Sequence, residues 1–426
     1  MTSTPSSRTG GQTASFAIVT TLFFTWGFIT SVIDPLIPSV RAVFHLSFAE
    51  SMLTQFAFFL AYGIVSLPAA RLVARLGSSS AVILALCVML AGCLLMPVAT
   101  LVNAYAIVLV ALFVIAGGVT VLQVAANPLA AALGPPERSH LRLTLSQAFN
   151  SLGTVAGPYF GAMVMLRGGV FAGGGGDAAL ARDHSLHQID TSFFIVAGLI
   201  AALTAFIFLV RRSLTAGDAA GAEGGDSRVM AALRSPWALF GGLAIFLYVG
   251  AEVSIGSMMI NFLHQPDVMG VSLEAAGKLL ALYWLGAMVG RFAGSALMTR
   301  IPAAQLLTTV AVGAGLLCLG ASLTGGPVGG VIALAIGLFN AIMFPTIFTL
   351  TLERSSASSA ATSGLLCMSI VGGAVLPPLT GLLADRLGLH VAFLVPMAAY
   401  AVIAVFAATA ARAIVQRVAA AGSAPH

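Results

Sequence analysis

Charge is the scarcest commodity in this sequence. Only 8% of its 426 residues are Asp, Glu, Lys or Arg, where a soluble globular chain carries about a quarter. The few charges are also clustered. None occurs in residues 76–136 or in residues 301–352, and 25 residues separate Arg8 from Asp34 without one. About 20 apolar residues span a bilayer as a helix, so each of the two long gaps holds a pair of spans. That distribution excludes a soluble fold. The net charge of +5 carries no nucleic-acid reading, because its distribution along the chain matters more than its sum.

Other absences narrow the field further. Cys87, Cys93, Cys318 and Cys367 are the only cysteines, and all lie in apolar segments; this is neither a disulfide framework nor a zinc spacing. The seven histidines form no HExxH arrangement, and an integral membrane enzyme would need a catalytic constellation of that kind. His184 and His187 are expected in a loop beside the glycine run at 173–176. The polar first 15 residues lack a charged leader followed by a short apolar core, and read as a disordered tail rather than a secretory signal.

What remains is apolar sequence punctuated by breakers. Spans are expected near 16–40, 51–74, 80–100, 104–133, 141–166 and 190–210, then near 236–263, 273–298, 303–323, 328–352, 359–383 and 389–411. The expected fold is therefore an all-α integral membrane protein of twelve transmembrane helices in two pseudo-symmetric six-helix halves. Residues 16–213 and 236–418 form the halves; 1–15 and 419–426 are tails, and the Gly-, Ala- and charge-rich stretch 214–235 is a linker. With the N-terminus in the cytoplasm, this segmentation places 14 of the 19 basic residues inside. The positive-inside rule then puts both termini in the cytoplasm and the chain in the cell's inner membrane.

The halves resemble each other. Gln123 precedes Pro128 by five residues and Asn340 precedes Pro345 by five, an offset of 217; Pro158 and Pro377 correspond at an offset of 219. Repeats of this size mark secondary transporters, whose ligand site lies at the repeat interface. A receptor or scaffold has no need of one. Pro128 and Pro345 are expected to bend spans four and ten and to act in gating.

Twelve of the 14 acids fall in loops or at helix ends; the two that do not are Asp34 in span one and Glu252 in span seven, spans that are equivalent in the two halves. A charge at mid-bilayer costs at least about 2.5–3.5 kcal/mol, so such residues face polar cavities and handle ions or substrate. Burial disfavours a carboxyl's charged form, which suits proton exchange near neutral pH. Pro35 removes a backbone donor directly after Asp34 and is expected to break the helix there. The bland readings are an interfacial Asp34 and a structural Glu252. Amides join the acids: Gln55, Gln123, Asn127, Gln147, Asn150 and Asn340 lie within spans. Amides both donate and accept, which suits a polyhydroxylated ligand. Trp26, Trp284, Tyr62, Tyr283 and Phe344 offer flat faces beside them.

At these residues the sequence resembles a known family. "FFTWGFITSVIDPLIP", "VLQVAANP", "LRLTLSQAFNSLG", "YVGAEVSIGS", "YWLGAMVGRFAGS" and "FPTIFTL" are similar, in order across both halves, to the L-fucose–proton symporter family of the major facilitator superfamily, and closer to its glucose/galactose transporter branch. The resemblance implies a monomeric, cofactor-free transporter with a central sugar cavity and alternating access, importing a hexose with a proton or sodium ion. It implies cation coupling at Asp34 and Glu252. Sugar contacts are expected from Trp26, Gln55, Gln123, Asn127, Gln147, Asn150, Glu252, Trp284 and Asn340, and Gln147 and Asn150 match the family's pattern. Where the fucose branch has an acid on helix four this chain has Gln123, and where that branch has glutamine on helix seven it has Glu252. The superfamily's basic loop keeps Arg71, Arg75 and Gly77 but has no Asp, so a latch built on that Asp is not expected. An uncoupled sugar facilitator shares the fold, and a proton-driven drug exporter would prefer a more apolar cavity.

Overall fold

The computed structural model describes residues 6–132, 139–171, 178–214, 232–357 and 359–413; most of the expected 214–235 linker lies outside them. The described chain is helical. Its elements are α1 (Ser6–Phe44), α2 (Phe48–Ser51), α3 (Leu53–Leu76), α4 (Ser78–Val102), α5 (Tyr105–Ala132), α6 (Ser139–Met165) and α7 (Ala178–Leu214). After the linker come α8 (Pro236–His264), α9 (Leu273–Leu297), α10 (Ala303–Leu323), α11 (Gly326–Asn340), α12 (Met343–Arg354), α13 (Ser359–Met368), α14 (Gly372–Leu387), α15 (Leu389–Ala392) and α16 (Leu394–Arg412). The pairs α2–α3, α11–α12, α13–α14 and α15–α16 each continue one span, so the twelve expected spans are present. Ten of these segments are long and apolar enough to cross a membrane by length and composition. The other two, α6 and α9, carry polar residues: Gln147 and Asn150 in α6, Glu274, Lys278 and Arg291 in α9.

Three expectations need correction. The first tail is not irregular from residue 6 onward, because α1 begins at Ser6; a helix already nucleated by a long span propagates at little cost. His184 and His187 lie in the first turns of α7, not in a loop. Finally, α1 runs unbroken through Pro35 and Pro38. Each proline withholds one N–H, yet a bundle supplies other partners and tolerates it. The carbonyls from which the prolines withhold a helical donor are those of Ser31 and Asp34, four residues before each. The Ser39 hydroxyl donates to the Pro35 carbonyl at 3.1 Å and reaches toward the Met165 carbonyl at 3.4 Å, which ties α1 to α6.

Glycine explains how α1 is held. Gly153, Gly157 and Gly161 recur every fourth residue on α6 and face α1. A Cβ on Gly157 would lie 2.7 Å from the Phe28 carbonyl oxygen, and one on Gly161 would lie 2.8 Å from the Pro35 ring. Small residues at this spacing let membrane helices approach to backbone contact. The same device recurs on α9, where Gly286, Gly290 and Gly294 press on Leu338, Ala341 and Ile342 at the end of α11.

The chain divides into two compact units. One comprises residues 1–39 and 60–223, the other residues 40–59 and 224–426. The end of α1 and the start of span two thus belong with the second unit. Their anchor is Asp385 near the end of α14. Its carboxylate accepts the backbone N–H groups of Phe48 at 2.7 Å and Ala49 at 2.8 Å. The Arg41 guanidinium lies 3.7 Å above the Phe48 ring and is attracted to Asp385. The Ser47 hydroxyl and Glu50 carboxylate complete a capping box on α2, satisfying donors left free at a helix start.

Candidate functional site

The first unit assembles a polar patch from three spans. Tyr62 on α3 receives a hydrogen bond from the Gln123 amide of α5 at 2.8 Å and a second from the Trp26 indole of α1. Tyr62 is buried while Trp26 and Gln123 are half-buried, so the tyrosine acts as the fixed post and the other two keep accessible surface. Two turns along α1 from Trp26, a rise of about 12 Å, stands Asp34, only 5% exposed.

The α6 amides divide the work. Asn150 is buried and its Nδ2 donates to the Phe23 carbonyl at 3.1 Å, tying α6 to α1. Gln147, one turn earlier, stays half-buried. The side chains of Asn127 and Pro128 lie outside the described residues; the α5 backbone is helical through both.

In the second unit the centre is Glu252 on α8. One turn back, the Tyr248 hydroxyl hydrogen-bonds its carboxylate, and Arg291 of α9 is a cation near enough to attract it. One turn forward, the Ser257 hydroxyl accepts the Gln55 amide at 2.9 Å, and both are buried. Tyr283 of α9 donates from its hydroxyl to the Glu252 backbone carbonyl at 3.3 Å. Trp284, half-buried, sets its ring edge-on to Tyr283 with centroids 5.1 Å apart. Phe344 stacks on Phe348 and is tilted against Tyr248.

Asn340 is different from the other amides. It is wholly buried, and both ends of its amide are taken, by Tyr283 at 2.8 Å and Tyr400 at 2.6 Å. It is also the last residue of α11. The span breaks at Ala341–Ile342, where Ile342 has φ −101° and ψ −4°, and resumes at Met343. Pro345 explains the break: it has no N–H to return to the Ala341 carbonyl. Span ten is therefore interrupted where Pro345 withholds its N–H, and Asn340 stands at the break.

Sequence reasoning missed Tyr248, Ser257 and Tyr400. Tyr248 had a signal, since it lies four residues from Glu252 on one helix face. Tyr400 had none, being 60 residues beyond Asn340 and joined to it only by the packing of α16 on the rest of the unit. Among the described residues no group of three or more His, Cys, Asp or Glu side chains could hold a metal.

Twelve spans in two related halves, with buried carboxylates and amides part-way along them, define a polytopic membrane protein built for transport rather than for bond-making chemistry. The chain belongs to the major facilitator superfamily, whose model matches residues 19–366. It is thus a member of a transporter family and not an enzyme. It is 44% identical over 388 residues to a glucose/galactose transporter of Brucella abortus, covering 91% of this chain and 92% of that one. It is 30% identical over 419 residues to the L-fucose-proton symporter of Escherichia coli, covering 94% of each. Its fold matches a crystal structure of the transporter FucP in the outward conformation, with a TM-score of 0.67, 27% identity, and 94% and 99% of the two chains covered.

Proposed function

We propose that this protein is a cation-coupled sugar symporter that imports a hexose such as glucose or galactose by alternating access, with a proton or sodium ion as the coupling ion and no further cofactor. The observation that carries the proposal is the pair of intramembrane carboxylates, Asp34 in the first half, 5% exposed, and Glu252 in the second, beside Tyr248 and Tyr283. A facilitator has no use for two such costly groups. The curated glucose/galactose and fucose-proton relatives point to the same ligand class.

Asp34 is assigned to coupling. It is the more buried of the two acids, and it lies on the helix whose carbonyls are loosened by Pro35 and Pro38. Glu252 is assigned to the sugar, assisting coupling through its charge. Trp26, Gln55, Gln123, Asn127, Gln147, Asn150 and Trp284 complete the proposed sugar contacts, and Pro128 and Pro345 the hinges. The protein is proposed to work as a monomer in the inner membrane with both termini in the cytoplasm, the orientation that the basic residues favour. The test is a thermal-shift screen of purified protein against hexoses, other small molecules and sodium. Stabilisation by a hexose supports the proposal; stabilisation by hydrophobic cations alone overturns it in favour of drug export.

A further inference from the structure

Asn340 is poorly placed to touch a ligand. It is 0% exposed, and so are the two tyrosines that hold it. Its bonds form one directed chain. The Tyr400 hydroxyl donates to the Asn340 Oδ1 at 2.6 Å, the Asn340 Nδ2 donates to the Tyr283 hydroxyl at 2.8 Å, and that hydroxyl donates to the Glu252 carbonyl at 3.3 Å. The direction is fixed by chemistry. A tyrosine hydroxyl has one proton; since the Glu252 carbonyl can only accept, Tyr283 spends its proton there and must accept from Asn340. The amide can therefore face only one way.

The chain connects two features of the same unit. At one end is the mid-span backbone of α8 that carries Glu252. At the other is Tyr400 of α16, and between them stands Asn340, whose next residue opens the break between α11 and α12, held against α9 by Gly290 and Gly294. Gly337 also brings α11 against the Tyr283 backbone. The break is thus clamped on one side by packing and on the other by three hydrogen bonds.

Resting on the symport reading above, we propose that Asn340 is a positioning residue rather than a sugar ligand. Through Tyr283 it ties the α11–α12 hinge to the backbone of Glu252, so that the hinge moves in register with the acid. Asparagine is required because the position needs a donor and an acceptor on one short, uncharged side chain. An aspartate cannot donate to Tyr283, and an alanine can do neither. Removing a link should leave the sugar contacts in place and slow the conformational step.

The experiment reconstitutes the full-length chain in proteoliposomes and measures hexose counterflow for wild type, Asn340→Asp, Tyr283→Phe and Tyr400→Phe. Each variant should lower the maximal exchange rate by about 3- to 18-fold, the range that interhelical hydrogen bonds in membranes support. Half-saturation should stay within about twofold of wild type. The double variant Asn340→Asp/Tyr283→Phe should be no slower than the worse single variant, because both cut the same chain. A raised half-saturation with an unchanged maximal rate overturns the proposal and makes Asn340 a direct ligand. Unchanged kinetics in all variants overturns it too. Hydrogen exchange of the detergent-solubilised protein gives an arm independent of transport: amides of residues 341–344 should exchange faster in Asn340→Asp and Tyr400→Phe, and unchanged exchange rejects the tie. A wild type that exchanges no hexose defeats the symport reading while this arm still judges the tie. Should Asn340→Asp not fold, Tyr400→Phe decides, since it removes one hydroxyl and keeps the ring.

Discussion

Gly157→Ala adds a single methyl group where α6 meets α1, and its cost can be worked from the contacts. The new Cβ would lie 2.7 Å from the Phe28 carbonyl oxygen, 2.9 Å from the Ser31 Cβ and 3.1 Å from the Ser31 carbonyl carbon. Carbon atoms pack comfortably at about 3.5–4.0 Å, so the helices must part by roughly 0.6–1 Å. Two of the three obstructing atoms are backbone and cannot rotate aside. Overpacking of this kind costs about 1–3 kcal/mol. Gly198→Ala in α7 of the same unit is the matched control, because a Cβ there meets nothing within 4 Å. Alanine is the better helix former by about 1 kcal/mol, so that variant should be neutral or stabilised. The propensity gain applies at both sites and cancels, so the same chemical change should differ by roughly 1–3 kcal/mol between them. Thermal unfolding of both variants in detergent, run beside hexose uptake, reads the difference. Uptake should fall in Gly157→Ala, since α1 carries Trp26 and Asp34, and hold in Gly198→Ala. If Gly157→Ala unfolds no earlier than Gly198→Ala, close packing on the glycine row is not what holds α1.

Three further outcomes are expected. Gln147→Ala should weaken hexose binding by about 5- to 150-fold at unchanged thermal stability, whereas Asn150→Ala should also lower stability because its bond to the Phe23 carbonyl is lost; titrations beside melting curves separate the two. Pro345→Ala restores an N–H at the break in span ten and should change transport rate more than equilibrium binding, as stopped-flow uptake against equilibrium titration would report. Asp385→Asn keeps one acceptor but loses the charge that faces the start of α2, an interaction worth about 0.3–1 kcal/mol at an exposed helix end. Exchange of the Phe48 and Ala49 amides should therefore quicken by about 2- to 5-fold.

The helices were legible because a bilayer imposes one rule on every span: about 20 residues without unpaired charge. The gaps at 76–136 and 301–352 obey it, and the breakers between spans did the rest. Asp34 and Glu252 were legible for the same reason, as violations of that rule. What escaped the sequence was whatever depends on a neighbour. Pro35 reads as a break until α6 is seen to receive its ring on Gly161. Asn340 and Asn150 read like the other amides, since nothing local separates a side chain held by two tyrosines or a carbonyl from one left half-exposed, as Gln123 and Gln147 are. The glycine rows on α6 and α9 did carry a signal, their spacing of four, which was legible but not read. The grouping of residues 40–59 with the second unit carried none; it follows from Asp385, more than 330 residues away.

The central claim is that a buried carboxylate couples sugar movement to a cation, and gradient-driven hexose uptake into proteoliposomes tests it most directly. Proton and sodium gradients are imposed separately on wild type and on Asp34→Asn. One unit charge moved through 100 mV is worth about 2.3 kcal/mol, enough for roughly 50-fold accumulation. Wild type should concentrate hexose under one of the two gradients. Asp34→Asn should still exchange hexose in counterflow, which needs no net cation movement, but should not concentrate it. Accumulation by Asp34→Asn would remove Asp34 from coupling, and a wild type driven by neither gradient would contradict the account and leave an uncoupled facilitator.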